Sequence, residues 1–300
     1  MFNIKRTREK ALGVKALAAI LVTTFFIATG TCGEDEGDGA VRLIEGEAPD
    51  AGPGNLIVFS RGDIYYCDEN GKNINRVTTP GYCACNNPSW SPGGDFIAYD
   101  IGNKVYVISK GGGPPEFVAE GNQPAWSPRS DIIAYKGRGK YNELWAFNLK
   151  TGERTLLTDK CYGEHCWAPD GERVIFIAPD PKDFGGPKYI WNVSLQSPGI
   201  IHIIREIKEG PDAKYPDWGA GGEWLAAALG GVESRKYEIW LINVKTGENR
   251  RVSHEPDFGP EDETIGALDP SWSEDGEWVF FVSDCRAFPG MGIYKIRVRK

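Results

Sequence analysis

One short phrase, rewritten along the chain, constrains the fold more than any other feature. Pro88-Ser89-Trp90-Ser91-Pro92-Gly93-Gly94 leads into the apolar run Phe96-Ile97-Ala98-Tyr99. It reads as a strand ending on tryptophan, a tight turn and a second strand. Proline presets φ at the first corner of the turn, and the two glycines supply backbone angles that other residues avoid. Four further copies centre on Trp126, Trp167, Trp218 and Trp272, at steps of 36, 41, 51 and 54 residues. A sixth, headless copy is Leu56-Ile57-Val58-Phe59-Ser60. Periods of this size belong to repeat architectures, and propeller blades run at about 40–50 residues each.

A second half-motif follows each copy. It is a strand with a bulky aromatic in register, as in Lys104-Val105-Tyr106-Val107, Glu143-Leu144-Trp145-Ala146 and Glu238-Ile239-Trp240-Leu241. A Gly-centred turn such as Lys150-Thr151-Gly152-Glu153 and an outer strand such as Arg154-Thr155-Leu156-Leu157-Thr158 close the unit. Four strands per unit and six units predict an all-β, six-bladed β-propeller. The order W-S-P-D-G, an I-A-F-like run, I-Y or L-W, then T-G-E and L-T resembles the TolB-type WD40-like propeller repeat. The resemblance covers residues 55–300 and extends to the propeller alone, since no stretch is left for the α/β domain that precedes it in TolB. It implies a fold; propellers host many unrelated activities.

Ahead of the repeats, Lys5, Arg6, Arg8, Lys10 and Lys15 form a basic region before the apolar stretch Ala16–Gly30. That segment is shorter than the roughly 20 residues of a membrane-spanning helix and reads as an export signal over residues 1–31. Cys32 and Gly33 follow at once, which resembles a bacterial lipoprotein signal and implies lipid on Cys32, although Thr29-Gly30-Thr31 departs from the usual Leu-Ala-Gly. Cleavage after Gly30 is the alternative. Residues 32–54 are rich in Gly, Asp, Glu and Pro and read as an acidic tether. Within it, residues 41–46 carry Val41-Arg42-Leu43-Ile44, a strand able to close the last blade, which ends after three recognisable strands.

Charge narrows the partners. The chain has 34 basic and 42 acidic residues, and loss of residues 1–31 leaves 29 and 41. No basic patch with interleaved aromatics occurs, so nucleic acid is not an expected partner. Six cysteines remain beyond Cys32, an even count that favours disulfides in an exported protein. Cys161 and Cys166 lie in one connection and are expected to pair. Cys67, Cys83, Cys85 and Cys285 leave three pairings open, with Cys83–Cys85 the most strained. A zinc site of Cys83, Cys85, Cys161 and Cys166 is the alternative.

In a four-stranded antiparallel blade the second-to-third turns and the links between blades share one face. Here that face carries the irregular segments Thr79–Asn87, Asp159–Glu164, Pro179–Lys188, Glu206–Lys214, Ser253–Leu268 and Asp284–Met291. Function in repeat folds concentrates on such a face. Three residues before each tryptophan stand Asn87, Gln123, Glu164, Tyr215 and Asp269, with His165 and Asp217 beside them. These seven are expected to ring the mouth of a central channel and to bind a partner. A hydrated mouth without a ligand is the plain alternative, and a divalent cation held by Glu164, Asp217 and Asp269 is the one cofactor the pattern suggests.

No nucleophile elbow, H-E-x-x-H or phosphate loop occurs. Of three histidines, His202 sits in the apolar run Ile200–Ile204 and reads as structural, while His165 and His254 fall on the loop-rich face. The expectation is therefore a monomeric, non-catalytic binding protein of the bacterial envelope, in the periplasm or at the cell surface. It would touch membrane only through its lipid and recognise a protein or peptide. A metal-dependent lyase or hydrolase acting on envelope glycans or peptides, using His165 and His254, is the second reading.

Overall fold

The computed structural model describes residues 39–79, 84–139, 143–208, 212–230, 236–253, 266–284 and 291–298. Cys32, Cys83, Cys285 and His254 lie outside them. Every regular element among the described residues is a strand. β1 (Val41–Glu45) precedes the first repeat. Blade 1 is β2 (Glu47–Gly52), β3 (Leu56–Arg61), β4 (Asp63–Asp68) and the two-residue β5 (Asn75–Arg76). Blade 2 comprises β6 (Cys85–Trp90), β7 (Phe96–Ile101), β8 (Lys104–Ser109) and the first half of β9 (Glu116–Trp126). The second half of β9 opens blade 3, followed by β10 (Ile132–Gly137), β11 (Leu144–Asn148) and β12 (Arg154–Thr158).

Blade 4 holds β13 (His165–Trp167), β14 (Arg173–Asp180), β15 (Asp183–Ser194) and β16 (Ser197–Ile207). Blade 5 holds β17 (Asp212–Trp218), β18 (Trp224–Gly230), β19 (Tyr237–Asn243) and β20 (Asn249–Arg251). Blade 6 holds β21 (Ala267–Trp272), β22 (Trp278–Ser283) and β23 (Gly292–Arg297), with β1 added as its outer strand. All pairings within the blades are antiparallel. The innermost strands β2, β6, β9, β13, β17 and β21 touch one another in sequence, and β21 returns to β2. The ring is therefore closed.

Two expectations need correction. Residues 47–52 are not tether: they form β2, the inner strand of the first blade, whereas Val41–Glu45 forms β1, the strand expected to close the last blade. Pro179–Lys188 is not a long loop either. It is the irregular end of the β14–β15 hairpin: Pro179 stands opposite Lys188 and Asp180 opposite Asp183, with a register shift between them that leaves residues 184–187 without strand partners.

The core lies between blades. The second strand of each blade is buried on both faces and carries a continuous apolar run, as in Val174-Ile175-Phe176-Ile177-Ala178, all at most 2% exposed. Successive residues point to opposite seams. On β13, Trp167 enters the cluster between blades 3 and 4 with Leu157 and Cys161, whereas Cys166 enters the cluster between blades 4 and 5 with Ala213 and Leu225. That alternation is why the expected Cys161–Cys166 disulfide is not formed. Both are buried thiols, and Cys161 Sγ lies 3.4 Å from the Gly163 carbonyl, to which it donates. Cys67 and Cys85 are also buried, in the seams between blades 6 and 1 and between blades 1 and 2.

Candidate functional site

Each inner strand runs into the channel with the same local chemistry. At the third residue before the tryptophan position the backbone turns left-handed: Ala48 (φ 47°), Asn87 (47°), Gln123 (51°), Tyr215 (53°) and Asp269 (48°). Proline follows each of them, at 49, 88, 124, 216 and 270. Non-glycine residues rarely adopt this conformation, and it persists only where the surroundings enforce it. Here the cause is a β-bulge, because the pairing with the second strand slips at each of these five places. Proline supports the slip by having no N–H to offer the ladder. Blade 4 breaks the rule. Glu164 and His165 stand at the equivalent places, the pairing of β13 with β14 has no slip, and neither residue has a positive φ.

These strands enclose a cavity of about 540 Å³ to which all six blades contribute. All seven residues picked from the sequence line it: Asn87, Gln123, Glu164, His165, Tyr215, Asp217 and Asp269. Asp50 also lines it and was not foreseen. The tryptophan copy that would have flagged Asp50 carries Ala51 instead, although Pro49-Asp50-Ala51-Gly52-Pro53 keeps the rest of the phrase.

The residues do different things. Two residues further along each inner strand, side chains staple one blade to the next. Asp50 accepts from the Trp90 amide at 2.7 Å, Ser89 from Trp126 at 3.0 Å, Asp217 from Trp272 at 2.7 Å and Ser271 from Ala51 at 2.9 Å. Cys166 stands opposite the Trp218 amide in the same way. At the equivalent place Ala125 has no side chain to give, and the Trp167 indole Nε1 donates instead to the Ala125 carbonyl at 2.9 Å. Asp217 is thus a staple as well as a wall of the cavity. Asn87 is also engaged: its Nδ2 donates to buried Asp100 at 2.7 Å, and the Gln123 amide donates to the same carboxylate at 2.9 Å.

The arc from blade 3 to blade 6 is different. Gln123 Oε1 is buried with no hydrogen-bond partner among the described residues, and so are both ring nitrogens of His165. The Ala134 carbonyl lies beside the imidazole without closing a hydrogen bond, and burial pushes the His165 pKa down to about 3, leaving the ring neutral. Asp269 is pushed up to about 7, chiefly by burial and then by Glu164 and Glu47 nearby. Burial raises Tyr215 to about 12, with Asp269 and Glu164 adding to it. Among the staples, burial lifts Asp50 to about 7 and Asp217 to about 6. Among the described residues no three His, Cys, Asp or Glu side chains converge as a metal-ligand set. Glu164, Asp217 and Asp269 are included in that statement.

No protein-family profile matches the chain, and no curated protein matches it. Solved structures do. The chain is similar to a protein described as a TolB from Agrobacterium tumefaciens, at 19% identity and a TM-score of 0.63, over 86% of this chain and 91% of that one. It is similar to TolB from Acinetobacter baumannii at 18% identity and a TM-score of 0.60, over 88% of this chain but only 65% of that one. A gluconolactonase from Xanthomonas campestris matches at 9% identity and a TM-score of 0.61, over 87% and 89%. The fold is a TolB-like β-propeller. The same architecture carries an enzyme in the third case, so fold alone does not choose the chemistry.

Proposed function

We propose that this chain is a non-catalytic binding protein of the bacterial cell envelope, exported, anchored by lipid on Cys32, and recognising a protein or peptide through the face that carries the channel mouth. The carrying observation is that polar side chains reach one cavity from five blades, Asn87, Gln123, Tyr215 and Asp269 at repeated left-handed bulges and Glu164 from the blade without one, while the blade 1 bulge carries Ala48. A bulge that costs backbone strain in blade after blade re-aims a side chain, which is a frequent device next to functional sites. The likeness to TolB structures supports a binding role, while the gluconolactonase keeps the metal-dependent enzyme as the competing reading.

The test is affinity capture from envelope extract by the purified chain, compared between two pairs of variants. Glu164→Gln with Asp269→Asn alters the mouth, and Asp170→Asn with Asp275→Asn alters the opposite face. Loss of one captured protein in the first pair only is the expected result. Equal loss in both, or loss only in the second, overturns the assignment of the face. Metal-dependent turnover of an envelope glycan that requires both His165 and His254 would replace binding by catalysis.

A further inference from the structure

The mouth is polar except at Ala48 of blade 1, and its two arcs are not equivalent. On the side of blades 1 and 2 the polar groups are occupied, Asp50 by the Trp90 amide and Asn87 by Asp100. From blade 3 round to blade 6 the staples Asp217 and Ser271 are occupied, but the groups at the mouth itself are not. Gln123 offers a buried carbonyl oxygen, and His165 two buried nitrogens, with no hydrogen-bond partner among the described residues. Asp269 sits deep against Glu164 with no hydrogen bond to its carboxylate among the described residues, and Tyr215 is close enough to feel both charges. Every one of these lines the same cavity.

Nearby cations do not complete the set. Lys214 is committed to Asp212 at 3.4 Å and lies over the Tyr237 ring. Lys136 reaches His165 electrostatically but forms no ion pair among the described residues. Arg129 also lines the cavity, but its Nε donates to the Pro169 carbonyl at 2.6 Å. The arc is therefore rich in acceptors and carries two carboxylates with which no cation forms an ion pair among the described residues. Buried polar groups left unpaired are costly, and natural structures keep few of them without a use.

We infer that the arc formed by Gln123, Glu164, His165, Tyr215 and Asp269 is a seat for a primary ammonium group of the partner. The inference rests on the reading of the mouth as a partner-binding site and adds the chemistry it selects. An ammonium brings three donors and one positive charge. Two of its donors meet the Glu164 and Asp269 carboxylates as charge-assisted hydrogen bonds, and the third meets the neutral imidazole or the Gln123 carbonyl. A divalent cation fits less well, since these groups do not converge as ligands. The His165 imidazole is where blade 4 departs from the proline of its five counterparts, so the exception in the repeat coincides with the open acceptors.

A partner could supply the ammonium from a lysine side chain or from its chain terminus, and three peptides separate the sources. They are Ala-Lys-Ala amide, its N-acetyl form, and N-acetyl-Ala-norleucine-Ala amide, each titrated calorimetrically into the purified full chain. At least one amine-bearing peptide is expected to bind, and the amine-free peptide is not. Binding by the N-acetyl lysine peptide assigns the side chain, and its loss on acetylation assigns the terminus. Asp269→Asn and Glu164→Gln should each weaken binding by about tenfold or more, and Asp170→Asn should leave it unchanged. Melting of each variant is checked first. Binding of the amine-free peptide as tightly as the others overturns the seat, as does silence of both amine peptides with a folded wild-type chain. Mouth-dependent capture of an envelope protein alongside that silence sinks this inference alone, whereas amine binding without any captured partner sinks the proposed function instead.

Discussion

The carboxylate of Asp50 accepts a 2.7 Å hydrogen bond from the backbone amide of Trp90, forty residues away in the neighbouring blade. Asp217 does the same for Trp272, again at 2.7 Å. Each staple fixes the height of one inner strand against the next, and each costs the burial of a charge. Removing the acceptor leaves a buried N–H unpaired, which costs about 1–3 kcal/mol. Asp50→Ala and Asp217→Ala are therefore expected to lose that much in urea unfolding at pH 8. Asparagine keeps an acceptor oxygen and removes the charge, so Asp50→Asn and Asp217→Asn should match or exceed the wild type at the same pH. Alanine variants as stable as the asparagine ones would deny the staple its role.

The raised carboxylates set a pH dependence with a definite sign. Asp50 and Asp269 stand at about 7 and Asp217 at about 6, against 3.8 in the unfolded chain. Between pH 4 and 7 the folded state holds more of these protons, so their contribution is full below about 4 and is lost as pH rises through 6–7. Buried Asp100 adds in the same direction. His165 opposes them: with its pKa lowered to about 3, it contributes stability that is lost as pH falls below the unfolded value of 6.5. It offsets one carboxylate, not three. The melting temperature should be higher at pH 5 than at pH 8 by roughly 5 °C or more, and Asp50→Asn with Asp217→Asn should flatten the difference. A melting temperature that rises steadily to pH 8 would contradict this.

Gly52 follows the tryptophan position of blade 1, and the Trp90 indole of blade 2 lies where a Cβ on it would stand. The same position in the other blades is Ser91, Ser127, Ala168, Gly219 and Ser273, all small. At Gly219 an added Cβ would approach the Trp272 ring to 3.2 Å, a contact that a slight shift relieves. Gly52→Ala is thus expected to destabilise by about 1–3 kcal/mol and Gly219→Ala by less than about 1. Thermal melts of the two variants decide it, and equal effects would show that the seams do not differ in tightness.

The repeat was legible because tryptophan marks it, and it faded where tryptophan is missing. Ala51 took the marker from blade 1, so β2 read as tether and Asp50 went unnoticed among other acidic residues. Pro179–Lys188 read as a loop because Gly185, Gly186 and Pro187 interrupt the apolar run; the pairing resumes past them at Asp180–Asp183, with residues 184–187 carried as a partnerless irregularity in β15. The mouth residues could be found by counting back three from each tryptophan, because the bulge repeats with the sequence. Which of them are already occupied could not be counted. That depends on partners such as Asp100 that lie in other strands and carry no motif.

Cys161 and Cys166 are five positions apart but belong to opposite seams of blade 4. Burial pushes the Cys161 thiol up to about 12 and raises the Cys166 thiol well above its ordinary value, so neither is a reactive thiolate. In the native chain both should resist alkylation, and both should be labelled completely in denaturant without reductant. Peptide mapping that recovers them joined to one another would overturn this arrangement.

Closure of the ring depends on β1. Val41 pairs with Lys295, Arg42 with Tyr294, Ile44 with Ile293 and Glu45 with Gly292. Ile44 is 8% exposed and packs with Phe59, Phe280 and Ile293, so it joins the first and last blades as well as extending a sheet. Without β1 the outer edge of β23 would stand open and this cluster would lose its cover, an arrangement prone to pairing with other chains. Deletion of residues 1–45 should therefore lower the melting temperature and give concentration-dependent association, compared with a deletion of residues 1–38 that keeps the strand. Ile44→Ala should cost about 2–5 kcal/mol, and Val41→Ala, at a site 38% exposed, far less. Side-by-side melts and light scattering of the two deletions are the measurement. If the chain lacking residues 1–45 melts with the one that retains β1 and stays monodisperse, closure by this strand contributes nothing to stability.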